Sequence, residues 1–249
     1  MDDAQLSFYR DNGYLLVKGL LDKDEAAAYR AECHDLARRL GGHDLDSTWG
    51  SAREVAGDTT TTLTHCHDVQ FHSAAFGRLL LDDRFTGTAA ALMDTPNVQL
   101  HHTKMFIKPP EQGSPFPMHQ DYPFFPHAQH SVAAAIFHFD DAPEEKGCVR
   151  VVPGSHKRGA LDHAAEGNWH LPPAEWPLSS AIPCEAEAGD VLFFSYFLVH
   201  GSGINTSSES RTTLLVQFRD PADRPTKDVH THSLGQGSIL RGVDPTGRS

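Results

Sequence analysis

The 249-residue chain contains 39% hydrophobic residues, which is enough for a sizeable core and excludes a disordered protein. Its 33 acidic and 21 basic residues give a formal net charge of -12, which argues against a nucleic-acid partner and against an anionic membrane surface. No apolar run reaches the roughly 18 residues that would cross a bilayer, and the acidic N-terminus lacks the basic and apolar parts of a signal peptide. We therefore expect a cytoplasmic protein that acts on a small molecule.

The first 96 residues are expected to form mainly helices. Gly13 ends the first helix, and Asp22 supplies the N-cap of the second. The predicted elements are, in chain order, a helix over 2–12, a strand over 14–21, a helix from 22 to the paired glycines 41 and 42, an irregular polar stretch over 43–66, and a helical stretch over 74–93 that is broken near 82–83.

From residue 97 onwards the hydrophobic pattern changes from helical to strand-like. Strands are expected over residues 98–107, 131–139, 148–152, 190–199 and 212–219, separated by turns rich in Pro, Gly and Asp. Successive strands without intervening helices are typical of a sandwich or barrel. We therefore predict one domain that is mostly β with flanking helices: an N-terminal helical layer (1–96), a double-sheet jelly-roll core (97–220) and a polar C-terminal tail (221–249) that covers a barrel edge or frays.

Two His-x-Asp pairs could each offer an imidazole nitrogen and a carboxylate oxygen to one metal ion, because residues two apart on a strand point to the same face. Chance alone accounts for such pairs in a chain with 17 histidines and 22 aspartates. The pair His138 and Asp140 runs from a strand into an exposed turn, which argues against a metal site. The pair His119 and Asp121 lies between a Pro-rich loop and aromatic residues, as the wall of a ligand pocket would.

An open ferrous site needs two histidines and one carboxylate, with positions left for substrate and oxygen. His200 is the candidate third ligand, because it ends an apolar strand and the glycines after it allow a ligand to approach closely. His230 and His232 are a weaker alternative in the polar tail. The cluster at residues 65–67 holds two histidines that are too close in sequence to face one ion easily, and we expect them to be loop histidines.

Arg211 follows His200 by eleven residues and begins an apolar strand. Antiparallel pairing across the intervening turn would place Arg211 beside the strand that carries His200, with its guanidinium aimed into the barrel. A lone buried charge is very costly, so this arginine needs a carboxylate partner. A dicarboxylate cosubstrate would supply one.

Five motifs occur in one order along the chain. They are DNGYLLVKGLL near the N-terminus, KPPEQGSPFPMHQDYPFF, GCVRVVPGSHKRG, the GDVLFF turn, and HGSGIN followed by Arg211. Together they resemble the phytanoyl-CoA dioxygenase family of iron(II)- and 2-oxoglutarate-dependent oxygenases, over roughly residues 5 to 220.

The resemblance implies a double-stranded β-helix of the cupin-like, distorted jelly-roll type. It further implies that His119, Asp121 and His200 bind Fe(II), that Arg211 binds the distal carboxylate of 2-oxoglutarate, and that Ser202 is a further contact of this cosubstrate. The implied reaction uses O2, converts 2-oxoglutarate to succinate and CO2, and hydroxylates an unactivated C–H bond. Desaturation and ring chemistry stay open, whereas the retained Asp121 argues against halogenation.

Two further positions bear on the pocket. Lys104 lies on a strand where the family places a cosubstrate-contacting side chain of variable type, and a solvated strand lysine is the alternative. Ile136 stands where relatives often have a tryptophan near the cosubstrate. The chain shows no dense cluster of basic residues for the polyphosphate of an acyl-CoA, so a natural product or another small organic molecule, lipid-like ones included, is the expected substrate.

Two other classes of protein are weighed against this hypothesis. A non-catalytic jelly-roll binding protein would need neither an inward arginine nor a complete triad. A zinc hydrolase could share two histidines and a carboxylate but would give no role to Arg211 or Ser202. The long segment His163–Pro183, with Trp169 and Trp176, is interpreted as a lid over the substrate, and a structural cover over a sheet edge is its alternative.

Overall fold

A computed structural model of the chain describes residues 1–41, 45–46, 48–57, 59–165, 168–228 and 233–247. Within these residues the chain forms five α-helices and eleven strands. The helices are α1 Asp3–Asn12, α2 Lys23–Arg39, α3 Arg53–Ala56, α4 Ala74–Leu80 and α5 Asp83–Met93. The strands are β1 Tyr14–Val17, β2 Thr64–His67, β3 Val98–Lys108, β4 Phe116–His119, β5 Ala133–His138, β6 Val149–Val151, β7 Ile182–Cys184, β8 Val191–Ser195, β9 His200–Ser202, β10 Arg211–Arg219 and β11 Ile239–Arg241. None of the described helices is both long enough and apolar enough to cross a membrane.

The second helix begins after the predicted cap Asp22, and the first begins one residue later than predicted, with Asp2 as its N-cap. Asp2 accepts a hydrogen bond from the backbone N–H of Gln5 at 2.8 Å, and the Gln5 side chain accepts one from the backbone of Asp2. Gly13 ends α1 in the left-handed conformation, with φ of 81°. Asp22 and Glu25 repeat the reciprocal capping bonds at the start of α2. Local side-chain chemistry therefore sets these boundaries.

The polar stretch 43–66 is more ordered than the sequence predicts. It contains α3 and most of β2, and β2 pairs with the C-terminal part of β3. Residues 43, 44, 47 and 58 of this stretch lie outside the described part of the chain. The polar composition of β2 gives no sign of a strand in the sequence, because this strand is stabilised by backbone pairing with a distant segment.

The strands form two sheets that share one interior. The larger sheet has the order β1-β8-β5-β10-β3-β11, with β2 also paired to β3, and the smaller sheet has the order β4-β9-β6-β7. Every strand pair in both sheets is antiparallel. This is the predicted jelly roll, or double-stranded β-helix, with helices on the outer face of the larger sheet. β11 pairs with β3, so the C-terminal segment lies along that edge.

The main apolar core lies between the helices and the larger sheet. Phe85 of α5 contacts Phe137 of β5 with ring centroids 5.3 Å apart, and both side chains are fully buried. Because successive strand residues point to opposite faces, Ile136 beside Phe137 points instead into the space between the sheets. The helical layer therefore fixes the outer face of the sheet and leaves its inner face for a cavity.

The predicted strand over 190–199 is two segments in the structure. β8 ends at Ser195, a turn closed by the bond from the Leu198 N–H to the Ser195 carbonyl follows, and β9 begins at His200 in the other sheet. Leu198 and Val199 are fully buried although they are not in a strand. A buried turn has the same apolar composition as a strand, so the sequence does not separate the two.

Candidate active site

A cavity of about 470 Å³ lies between the two sheets. It receives side chains from β2, β3, β5, β8 and β10 of the larger sheet and from β4, β6 and β9 of the smaller one. The residues that carry polar or ionisable side chains in its wall are Thr48, His65, His67, His102, Lys104, His119, Asp121, Asn168, His200, Ser202, Arg211, Thr213 and Gln217.

Three of these side chains converge closely. The ligand atoms of His119, Asp121 and His200 all lie within 4.8 Å of one another. The Nε2 atoms of the two histidines lie 3.7 and 3.9 Å from Asp121 Oδ1. β4 and β9 pair so that His119 is directly opposite His200. The structure shows no second cluster of this kind among the residues it describes.

Asp121 reaches this cluster from a turn and not from a strand. β4 ends at His119, and Asp121 has helical backbone angles, φ of −74° and ψ of −22°, at the start of a short 3-10 helix. The side chain of Gln120 is buried in the opposite direction, where its Nε2 donates to the carbonyls of Gly159 at 2.9 Å and Phe197 at 2.6 Å. The predicted convergence of His119 and Asp121 is therefore produced by an anchored turn, and the prediction that both lie on one strand is wrong.

Backbone carbonyls orient both imidazoles. The Nδ1 of His119 lies 2.8 Å from the Pro117 carbonyl, and the Nδ1 of His200 lies 3.0 Å from the Leu198 carbonyl. Since a carbonyl can only accept, each Nδ1 carries the proton and each Nε2 presents its lone pair to the cluster. This is the arrangement that metal-binding histidines use.

Gln217 on β10 is a functional residue that the sequence prediction missed. Its Nε2 donates a hydrogen bond of 2.7 Å to Asp121 Oδ2, and both side chains are buried. Arg211, Thr213, Leu215 and Gln217 alternate along β10, and all four line the cavity. That two-residue period in the sequence could have placed Gln217 on the same face as Arg211.

Burial controls the protonation of the cluster. It lowers the pKa of His119 well below its usual value, and the neighbouring His200 lowers this pKa further. Burial raises the pKa of Asp121, whereas His200, Lys104 and the bond from Gln217 lower it. Imidazole nitrogens with a free lone pair beside a carboxylate suit a divalent cation, because metal ligands must be deprotonated.

Arg211 lies towards the other end of β10, together with two polar residues. Its Nη1 donates to the Gly147 carbonyl, while its Nε is buried without a hydrogen-bond partner and no described carboxylate pairs with it. Burial lowers the pKa of Arg211 to about 10. Lys108, directly opposite Arg211 on β3, donates from Nζ to Ser202 Oγ at 2.7 Å. Lys108 is fully buried and was not predicted as a site residue.

The route by which Arg211 reaches the interior differs from the prediction. β10 pairs with β3 and β5, whereas β9, which carries His200, pairs with β4 and β6. The residues 203–210 cross from one sheet to the other, so Arg211 faces His200 across the cavity instead of lying beside it. The expectation that it is aimed into the barrel is confirmed, because it lines the same cavity as the triad.

Lys104 also lines the cavity, on β3, and so does Ile136 on β5. His65 and His67 lie in β2 and line the cavity too, so the expectation of loop histidines is wrong. Their rings are 4.7 Å apart, and burial lowers the pKa of His65 to about 4. Pairing of β2 with β3, which nothing in the local sequence indicates, brings them to the site.

The remaining predicted candidates lie elsewhere. His138 ends β5 and is fully buried, and Asp140 pairs with Arg30 at 2.5 Å and is partly buried instead of exposed. His230 and His232 lie outside the described residues. The pair at 138 forms no metal cluster with any described residue.

The segment His163–Pro183 is described apart from residues 166 and 167. Asn168 lines the cavity, whereas Trp176 packs against a buried group that includes Met118 and Val199, with the Arg158 guanidinium 4.9 Å from its ring centroid. Trp169 is 38% exposed. Closure of the segment as a lid stays a prediction.

This jelly roll brings two imidazoles and one carboxylate together in its cavity, and a buried arginine lines the same cavity. That is the architecture of the iron- and 2-oxoglutarate-dependent oxygenases. Comparison with known proteins agrees with this class. The family model for phytanoyl-CoA dioxygenase matches residues 9–213. The chain belongs to this family, and it is a 2-oxoglutarate-dependent dioxygenase whose cofactors are iron, 2-oxoglutarate and O2.

Three similar proteins illustrate the range of the family. The peroxisomal phytanoyl-CoA dioxygenase of Rattus norvegicus is 28% identical over 96% of this chain and 73% of its own length. The epimerase SnoN, solved with Fe3+, alpha-ketoglutarate and nogalamycin RO, is 26% identical with a TM-score of 0.74, over 99% of this chain and 91% of that one. The carbocyclase SnoK from nogalamycin biosynthesis is 25% identical with a TM-score of 0.76, over 98% of this chain and 94% of that one. These relatives make a catalytic protein the better supported class over a non-catalytic binding protein.

Proposed function

We propose that His119, Asp121 and His200 bind Fe(II), and that Arg211 and Ser202 bind the distal carboxylate of 2-oxoglutarate. The protein, as one domain over residues 1–249, would then hydroxylate an unactivated C–H bond of a small organic molecule. One observation carries this proposal. The buried guanidinium of Arg211 has no described carboxylate partner, and it lines the same cavity in which three metal-ligand atoms converge. A cytoplasmic location without nucleic-acid or membrane partners stays a prediction from composition.

The donor set fits the proposed ion. Two neutral imidazoles and a carboxylate match ferrous iron and leave coordination positions for other ligands. The three residues are between 5% and 8% exposed, and all of them line the cavity. The orphaned Nε of Arg211 fits a carboxylate, because a guanidinium binds carboxylates through two parallel hydrogen bonds.

Iron with 2-oxoglutarate and O2 supplies the oxidising chemistry that removes hydrogen from the substrate, with succinate and CO2 as co-products. The residues of this chain have three tasks around it. The Pro117 and Leu198 carbonyls and Gln217 hold the three ligands in one orientation. Arg211 and Ser202 orient the cosubstrate along the cavity, and the aromatic wall excludes water from the reacting centre.

The position of Lys104 limits its contribution to cosubstrate binding. On β3 it lies four residues from Lys108, which is opposite Arg211, and four residues of strand span about 13 Å. We therefore place any contact of Lys104 with 2-oxoglutarate at the iron-binding end of the cosubstrate, away from the carboxylate that Arg211 binds.

The test is succinate formation by protein loaded with Fe(II), ascorbate and 2-oxoglutarate. Wild-type protein should form succinate slowly even without a prime substrate, and His119→Ala or His200→Ala should abolish this activity and the stoichiometric binding of iron. His72→Ala is the matched control, because His72 is exposed and lies outside the cavity. Wild-type iron content and succinate formation in either triad variant would refute the assignment.

A further inference from the structure

The charges around the cavity do not balance once iron and cosubstrate are counted. Among the described residues that line it, Lys104 and Arg211 are cationic and Asp121 is the one carboxylate. The two charges of Fe(II) and those of the 2-oxoglutarate dianion cancel, and Asp121 offsets one of the two cations. The lining therefore keeps an excess of one positive charge in a protein whose net charge is -12, and buried Lys108, which donates to Ser202 behind the wall, adds no negative charge to offset it. An uncompensated charge away from bulk water is costly, so a further anion is needed.

Among the cations that line the cavity, Lys104 is the one without a proposed counter-ion. It makes no hydrogen bond and no ion pair with any residue that the structure describes, although the carboxylates of Asp121 and Asp68 both attract its charge. Arg211, in contrast, has the distal carboxylate of the cosubstrate as its proposed partner. Lys104 is half-buried and lines the cavity.

The strand register places Lys104 beside the iron site. His67 on β2 is directly opposite Lys104, and both side chains line the cavity. On the other side of β3, Gln217, which binds Asp121, is paired with His102, two residues from Lys104. Lys104 and His67 therefore form one polar surface at the end of the cavity where the metal ligands lie, about 13 Å along β3 from the Arg211 level.

An aromatic wall borders the same end of the cavity. The ring of Trp49 lies 4.8 Å from the ring of His119, 5.1 Å from Phe116 and 5.6 Å from Phe124, measured between centroids. All of these rings line the cavity. Flat aromatic surfaces favour an apolar, ring-bearing ligand through burial and edge-to-face contacts.

We infer that Lys104, supported by His67, binds an anionic group of the prime substrate, and that this substrate is a small carboxylic acid whose apolar ring packs against Trp49 and Phe124. This inference rests on the proposed iron and cosubstrate sites. The volume of about 470 Å³, shared with 2-oxoglutarate, admits a small free acid. The carboxylate at Lys104 holds the ring next to the metal ligands, so the reacting C–H bond would belong to the ring or its first substituent.

The test uses arylalkyl and cycloalkyl carboxylates, such as 3-phenylpropanoate, each paired with its neutral carboxamide. Anaerobic isothermal titration of the Fe(II)- and 2-oxoglutarate-loaded protein should show that the acids bind at least tenfold more tightly than the amides, the ratio expected from one charge-assisted hydrogen bond. Lys104→Met should remove this preference, and Lys104→Arg should retain it. Lys157→Met is the control, because Lys157 forms an exposed ion pair with Asp11.

Separate titration with 2-oxoglutarate distinguishes the possible failures. Lys104→Met should leave the affinity for 2-oxoglutarate within about twofold of wild type. A large loss of 2-oxoglutarate affinity, with the preference for acids over amides intact, would assign Lys104 to the cosubstrate site and overturn the inference. Equal binding of acids and amides by wild-type protein, or binding of neither, also overturns it. If wild-type protein binds no iron or 2-oxoglutarate, the proposed function itself fails, which the same titrations reveal.

Discussion

Replacing Gln217 with leucine should weaken iron binding without removing a metal ligand. Gln217 Nε2 donates to Asp121 Oδ2 at 2.7 Å, and Gln217 and Asp121 are 1% and 8% exposed, so water does not readily replace the lost donor. A hydrogen bond to a charged group contributes about 1.5–3 kcal/mol. Loss of such a ligand-orienting contact typically costs about ten- to hundredfold in metal affinity. We expect the Fe(II) dissociation constant of Gln217→Leu to rise by that factor.

The effect of Gln217→Leu on iron affinity should depend on pH. Burial raises the pKa of Asp121, and the bond from Gln217 is among the interactions that lower it. Without Gln217 this pKa should rise further, and because a protonated carboxyl does not bind metal, the loss of affinity should grow as the pH falls. Anaerobic titration with Fe(II) at several pH values measures both effects.

Gln99→Leu is the matched control, since Gln99 is also a buried strand glutamine and its Nε2 donates to the Gly237 carbonyl at 3.0 Å, outside the cavity. It should reduce thermal stability in a similar way and leave iron affinity unchanged. If folded Gln217→Leu binds Fe(II) as wild type does at every pH, the orientation of Asp121 by Gln217 has no role in metal binding.

Three further predictions concern other parts of the molecule. Arg211→Ala should weaken 2-oxoglutarate binding by about 1.5–3 kcal/mol in anaerobic titration, the usual contribution of a charge-assisted hydrogen bond, and unchanged affinity would remove Arg211 from the site. If the segment 163–183 closes on the substrate, Trp176→Ala should raise the amount of succinate formed per hydroxylated product, while the affinity for 2-oxoglutarate stays nearly unchanged. If neither this ratio nor the affinity for the substrate changes, Trp176 serves packing alone. Asp190 accepts hydrogen bonds from Lys18 Nζ and from the Gly19 N–H, both at 2.8 Å. Burial raises the pKa of Asp190, but these and other hydrogen bonds lower it by more, so its pKa lies below the usual value. Asp190→Asn should therefore lower the free energy of unfolding by about 2 kcal/mol at pH 7, and the difference should disappear as the pH falls through that lowered pKa, as denaturant titrations at neutral and acidic pH would show.

The sequence by itself determined the features that depend on local chemistry. Asp22 caps the second helix as predicted, because its side chain bonds to the backbone N–H three residues away. The change from helical to strand-like periodicity near residue 97 indicated the jelly roll, because alternation follows directly from strand geometry. The motifs around His119 and His200 also indicated the family, because each motif is a short contiguous stretch that can be read without the fold.

Only the tertiary structure decided which side chains meet. Pairing of β2 with β3 brings His65 and His67 to the cavity, and the crossing of the chain between sheets places Arg211 opposite His200 instead of beside it. Gln217 reaches Asp121 across 96 residues of sequence. These contacts join segments with no local relation, and their energies depend on register and burial, which become defined only when the two sheets close around one interior.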